Sequence, residues 1–357
     1  MTLCGSISAL WQQPMRFTNY KNRAFGTVGW LTTLAVLTLS AFLSGCVQMS
    51  LDDLGQPSRE IPAYVLADMR TKGMEPDSPV LIRIFKMESE LEVWKIDSSG
   101  KYALLKVFPM CRWSGKLGPK TKTGDRQAPE GFYRVTQGSL NPKSQFYLSF
   151  NLGYPNPLEA ALGYSGEALM VHGACSSSGC FALTDQGVGE IYAVIERALK
   201  AGQKAIQVQA FPFHMTPENL AAHRDDENLM FWKNLKQGYD IFDVRKREPR
   251  VAMCEKRYVF DADFNSQQPV DPLATCPMRS DQPDALVAAK MRKDESAFNL
   301  LSKKALEPLA YQDGGMHPSF RALLKQNGEA KLVQRVSAIN YPISRPAAAL
   351  ADPFSAR

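Results

Sequence analysis

The chain has 357 residues, 45% of them hydrophobic, with 42 Lys+Arg against 36 Asp+Glu and a formal charge of +6. Three of the basic residues, Arg16, Lys21 and Arg23, stand in the first 45 positions, which hold no acidic residue, so the other 312 carry 39 basic against 36 acidic side chains, a net of about +3. So small an excess, with no basic patch interleaved with aromatics, argues against nucleic acid as a partner, while the apolar content suffices for one ordinary domain with extensions or two small ones.

In chain order, the first element is an export signal over residues 1–45. Basic residues precede an apolar Val28–Phe42 segment, and Leu43-Ser44-Gly45-Cys46 follows. That segment is shorter than the ~20 residues of a membrane-spanning helix, and its end resembles the bacterial lipobox, which implies lipidation at Cys46. Met15 begins a well-proportioned signal by itself. Residues 46–76 read as a tether with a short helix, Ile61–Lys72, closed by Gly73. Residues 77–262 carry the regular elements. Pro79–Ile96 predicts a hairpin, Lys101–Trp113 a third strand, and Phe132–Thr136 and Gln145–Phe150 two more, with the glycine-rich turn Ser114–Glu130 between. Ile191, Val194, Ile195, Ala198 and Leu199 have helical spacing, with Asp185 as cap and Gly202 as stop. Ala205–Phe211 predicts a strand, Thr216-Pro217 starts a helix reaching about Lys236, and Arg250–Phe260 predicts a last strand. Residues 263–357 form a weakly periodic, partly disordered C-terminal extension, with short helices near Pro283–Ser302 and Ser319–Gln326.

Chemistry concentrates in "VHGACSSSGCFALTD", Val171–Asp185. An exported chain meets an oxidising compartment, and setting aside Cys4 and Cys46 leaves Cys111, Cys175, Cys180, Cys254 and Cys276, an odd number that points to one free thiol. A thiolate nucleophile needs a base and donors for the oxyanion it creates. His172 is the candidate base and Cys180 or Cys175 the nucleophile. Cys180, directly after Gly179 and ahead of Phe181-Ala182-Leu183, suits a nucleophile at a loop junction, whereas Cys175 lies in mid-loop and suits a disulfide. With Cys180 free, the other four allow three pairings. Cys111 with Cys175 would brace the loop, and Cys254 with Cys276 would close a modest ring. A metal site of His172, Cys175 and Cys180 lacks a fourth ligand. Lys116, Lys120, Arg126 and His214 are candidates for binding substrate carboxylates, although a solvated turn accounts for the first three equally well. His223 sits among charges and reads as solvated.

His172-Gly173 followed by Ser178-Gly179-Cys180 resembles the signature of the L,D-transpeptidases of YkuD type. The compressed loop, with "RIFK", "ELEVW", "SGKLGPK", "GDRQAPEGFY" and "AFPFHMT", is similar to their YafK-like branch. The resemblance spans roughly residues 68–260. It implies an α+β, mainly β fold, a mixed β-sandwich-like catalytic domain with a few helices, followed here by an irregular C-terminal extension. It also implies a cysteine acyltransferase that attacks the diaminopimelate carbonyl of peptidoglycan stem peptides, forms a thioester and passes the acyl group to an amine, with no metal or organic cofactor. Carried over, Cys180 is the nucleophile, His172 the base, and Gly173 and Gly179 orient the histidine or shape the oxyanion site. Ser178 stands where most members have a second histidine, and serine is neither acid nor base near neutral pH. The branch also implies an alternative outcome, hydrolysis that trims stems or detaches an outer-membrane lipoprotein or other wall-linked protein. A third reading is a non-catalytic wall-tethering lipoprotein. The expected location is the periplasm, lipid-anchored to a membrane, with Val47 after Cys46 leaning towards the outer one.

Overall fold

The computed structural model describes residues 59–265, 268–278, 284–304, 306 and 314–337. The signal segment and Cys46 lie outside them. Helix α1, Ala63–Thr71, is followed by Gly73, whose φ of +64° lets the chain reverse. Strands β1, Val80–Phe85, and β2, Glu90–Ile96, make the expected antiparallel hairpin. The next predicted strand divides. Tyr102–Pro109 is β3, paired with β2, whereas Arg112–Trp113 is a separate strand β4 in another sheet. Pro109 has no N–H to extend a ladder, and this is where the chain changes sheets.

After β5, Gly131–Val135, come β6, Leu140–Asn141, β7, Ser149–Asn151, and helix α2, Pro157–Ala161. Strand β8, Met170–His172, leads into the cysteine loop, and β9, Phe181–Ala182, leaves it. Helix α3, Asp185–Lys200, buries Ile191, Val194, Ile195, Ala198 and Leu199, the stripe its spacing predicts. Its cap is Thr184, which accepts the Gly187 N–H, and not Asp185, whose carboxylate is engaged in the cysteine loop. Strand β10 is Ile206–Phe211. The helix expected from Pro217 to Lys236 is two, α4, Pro217–Ala222, and α5, Leu229–Arg245. Between them lies a turn in which His223 is buried, stacked on Phe213 at 4.9 Å and edge-on to Trp232, not solvated. Arg250–Phe260 is a hairpin, β11, Val251–Cys254, and β12, Arg257–Phe260. Its turn residues Glu255 and Lys256 are left-handed although neither is Gly or Asn. Their amides bond Ala274 and Pro272 carbonyls of the loop that the Cys254–Cys276 disulfide holds alongside, a long-range support that no local turn signal announces. Helices α6, Ala285–Leu301, and α7, Pro318–Val336, follow.

Two five-stranded mixed sheets result, ordered β3-β2-β1-β10-β5 and β4-β9-β8-β7-β6. Each has one parallel pair, β1 with β10 and β8 with β9. The main core cluster joins both sheets, α3 and α1, with Ile82, Val93, Val208, Phe150, Val171, Phe181, Ile195 and Met69 in it. The mixed, mainly β α+β architecture is as expected. A second cluster, which includes Phe85, Phe132, Phe211, Trp232 and Tyr239, joins the first sheet to α5. The extension also contributes to the packing. Gly315 bridges Trp113 in β4, and Phe320, Leu332, Val333 and Val336 of α7 pack with Cys111, Cys175 and Ala182.

Candidate active site

The site is built on the one parallel pair of the second sheet. His172 ends β8 and Cys180 immediately precedes β9, with Val171 opposite Phe181 and His172 opposite Ala182. His172 and Ala182 share a rung and so one face of the sheet, and Cys180 stands two residues before Ala182 with its thiol bonded to the Met170 backbone of β8. His172 is buried, 3% exposed, with Phe146 4.7 Å from its ring. Its Nδ1 lies 2.6 Å from the Gly173 carbonyl. A carbonyl only accepts, so Nδ1 carries the hydrogen and Nε2 presents its lone pair. Burial holds the imidazole below its ordinary value, against the Gly173 bond that favours charge. Among the described residues Cys180 is the free cysteine. Burial pushes its thiol up, while a bond to the Met170 backbone and the Lys120 ammonium pull it down less. Thiol and imidazole therefore rest neutral at pH 7, an arrangement for proton transfer during attack rather than a standing ion pair.

The loop between them is held from several sides. Disulfides join Cys111 to Cys175 and Cys254 to Cys276. Ala174 and Cys175 are consecutive left-handed residues, φ +62° and +44°. They are stabilised by the Ala174 N–H to Asp185 Oδ1 at 2.9 Å, the Cys175 N–H to the Leu183 carbonyl at 3.4 Å, and the Cys111 bridge. Gly173 cannot be anything larger, since a Cβ there would sit 2.5 Å from Asp185 Oδ1 and 2.8 Å from the Phe146 carbonyl. Gly179 has φ +126°, which an L side chain rarely adopts. Its N–H donates to Ser114 Oγ at 2.6 Å. Ser178 is exposed.

The candidate binding residues divide. Lys120 is buried, bonds the Lys122 carbonyl and Asp125, and reaches Cys180 electrostatically. The Arg126–Gln127 backbone lies against Gly179, the Arg126 side chain is exposed, and Lys116 is exposed on the same turn. His214 is placed elsewhere, stacked on Phe85 at 3.8 Å and facing Glu90 at 3.8 Å, with His317 facing the same carboxylate at 3.6 Å. No group of three or more metal-type ligands occurs among the described residues. A cavity of about 500 Å³, lined by residues including Phe132, Arg134, Pro155 and Met253, shares no residue with the cysteine loop. Sequence reasoning missed Ser114, Ser177, Phe146 and the loop-holding role of Asp185. Ser177 and Asp185 lay within the motif, but Ser114 and Phe146 meet it from 63 and 26 residues away.

The model of the L,D-transpeptidase catalytic domain, YkuD, matches residues 91–208. YafK of Escherichia coli strain K12, whose name provisionally assigns it to the L,D-transpeptidases, is 40% identical over 223 residues, covering 62% of this chain and 88% of that one, and YafK of strain O157:H7 matches to the same extent. Among solved structures, the helical cell shape determining protein Pgp2 of Campylobacter jejuni aligns at 16% identity over 68% of this chain and 78% of its own, with a TM-score of 0.32. A mutant form of it aligns at 22% identity over 43% of this chain and 56% of its own, with a TM-score of 0.31. On the family match and the YafK identity together, the chain belongs to the YkuD-type L,D-transpeptidase family, in which it is YafK-like.

Proposed function

We propose that the chain is a cysteine acyltransferase acting on peptidoglycan stem peptides. The observation that carries this is a free thiol just before one of two adjacent parallel strands and, at the end of the other, an imidazole whose Nε2 is left unprotonated by its Nδ1–H to Gly173 bond. In the first step Cys180 Sγ bonds to the carbonyl carbon of the diaminopimelate residue while its proton passes to His172 Nε2. Collapse of the tetrahedral adduct breaks the C–N bond, and His172 returns the proton to the departing amine, leaving a thioester. An incoming amine, or water, then attacks the thioester with His172 again taking the proton, and Cys180 leaves as thiol. Exposed Ser178 supplies no second acid or base, so all proton transfer rests on His172. The scheme needs no metal or organic cofactor.

Incubation of purified muropeptides with wild type and Cys180→Ala, read by mass spectrometry, tests this. New 3-3 dimers from wild type alone support transfer, and freed stems or lysine remnants support hydrolysis on the same thioester. Identical products from both proteins would refute catalysis and favour a wall-tethering role, in which case a carbapenem should also leave Cys180 unlabelled. We further propose that the mature chain begins at Cys46, carries lipid there and is held at a periplasmic membrane face. Metabolic labelling with radioactive palmitate should mark wild type and not Cys46→Ala. Equal labelling of the two would remove the anchor.

A further inference from the structure

Ser114 stands just after β4, sixty-five positions before Gly179 in the chain, and both its side chain and that of Ser177 are buried. Their oxygens are 2.6 Å apart. Ser177 Oγ also lies 2.7 Å from the Cys180 carbonyl. A carbonyl has no hydrogen to give, so the single Ser177 hydroxyl hydrogen goes to Cys180 and the hydrogen between the serines comes from Ser114. The chain of donation therefore has one direction, Ser114 to Ser177 to the Cys180 carbonyl. Amides enter from the other side. The Gly179 N–H donates to Ser114 Oγ at 2.6 Å and more weakly to Ser177 Oγ at 3.4 Å, and the Cys180 N–H donates to Ser177 Oγ at 3.1 Å. Both backbone groups of the nucleophile thus end on one hydroxyl, which is itself held by a serine from another part of the chain. The Ser114 carbonyl is fixed in turn by the Ala128 N–H at 2.9 Å.

We propose that Ser114 is a positioning residue for the nucleophile. Through Ser177 it sets the backbone of Cys180, and together the two hydroxyls engage the Gly179 and Cys180 amides in the free protein. The proposal rests on the acyl-transfer reading and deepens it. The competing account, in which the hydroxyls only plug an oxyanion site until substrate displaces them, predicts the opposite effect of removing one. With Ser114 gone, a plug would free a donor and speed acylation. A positioning residue would leave the thiol misaimed and slow it, since small displacements of a reacting atom cost about 100-fold in rate.

The experiment is acylation of Cys180 by a carbapenem, followed by mass, together with turnover of muropeptides, in wild type, Ser114→Ala and Ser114→Thr. Ser114→Ala should be acylated about 10- to 100-fold more slowly, with kcat reduced and KM nearly unchanged, and Ser114→Thr, which keeps the hydroxyl, should recover most of the rate. Acylation of Ser114→Ala at or above the wild-type rate, or a loss confined to KM, overturns the proposal. A second readout needs no variant. In wild type the Gly179 and Cys180 amides should be protected from hydrogen exchange. Fast exchange of these two amides in the free protein overturns it. If wild type is never acylated although its thiol is titratable, the acyl-transfer reading fails, and the exchange measurement on the free protein still decides the hydrogen-bond assignment.

Discussion

His172 is the residue whose protonation can be followed most directly. Burial lowers its pKa, and a lowered histidine value means that the unfolded chain binds more protons than the folded one just below pH 6.5. Two consequences share that sign. The acidic limb of the Cys180 acylation rate should have its midpoint below pH 6.5, because the free base persists there, and a midpoint above 6.5 in a carbapenem pH–rate profile would contradict the buried-base assignment. The contribution of His172 to stability should likewise be lost as pH falls through and below 6.5. Gly173 offers a steric test. Gly173→Ala forces a Cβ into Asp185 and the Phe146 carbonyl, and should cost about 1–3 kcal/mol in chemical denaturation with a sharp loss of acylation. An unaltered denaturation midpoint would show that the loop can shift to make room.

At the scale of elements, the cysteine loop depends on pieces that approach it from behind. The Cys111–Cys175 disulfide ties it to the end of β3 and the start of β4, and α7 packs Leu332 and Val333 onto that disulfide. Ser337 extends the contact, donating to Asp185 Oδ2 at 3.4 Å, while the other oxygen of Asp185 holds Ala174. Replacing Cys111 and Cys175 by Ala together should lower stability by about 2–4 kcal/mol and slow acylation. The matching Cys254/Cys276 pair, which staples a loop carrying no site residue, should cost stability while sparing the rate of acylation. Leu332→Ala should cost about 2–4 kcal/mol, because the side chain is 1% exposed. A cost below 0.5 kcal/mol by urea titration would mean that α7 is only loosely attached.

Across the whole molecule, the Glu90 carboxylate faces two histidines, His214 after β10 and His317 at the start of α7. Their bonds draw Glu90 down to about 2 in spite of partial burial. His214 is raised, since Glu90, Glu88 and Glu92 together outweigh its burial and the repulsion of Arg83. The depressed Glu90 contributes stability that is present above its unfolded value of 4.5 and is lost as pH falls towards 2. The raised His214 contributes stability that is present below 6.5 and is lost as pH rises through its folded value. The cluster that fastens the extension to the first sheet should thus be strongest between about pH 4.5 and 6.5. The Tm difference between wild type and Glu90→Gln should peak in that window, and a difference that does not vary with pH would exclude the ionic contact.

Sequence alone carried the elements whose signals are local. The α3 stripe and the β1–β2 hairpin follow from spacing within a short stretch, the odd cysteine follows from parity over the chain, and the His172 to Cys180 motif carried the family. The molecule's non-local features had to come from folding. Parallel pairing of β8 with β9 brings the chain at Cys180 alongside the strand that ends in His172, and nothing in either short strand encodes its partner. The His172 tautomer follows from a carbonyl that only the turn places at Nδ1. The left-handed Glu255–Lys256 turn is held by backbone groups nearly twenty residues on, where turn composition gives no hint. Ser114 looked like one serine in a glycine-rich turn, and only the packed sheet edge makes it the support of Cys180. Periodicity records which side chains must leave water, a local property. Which backbone groups find each other once they have left it depends on chain closure over tens of residues, and that is decided only in the folded molecule.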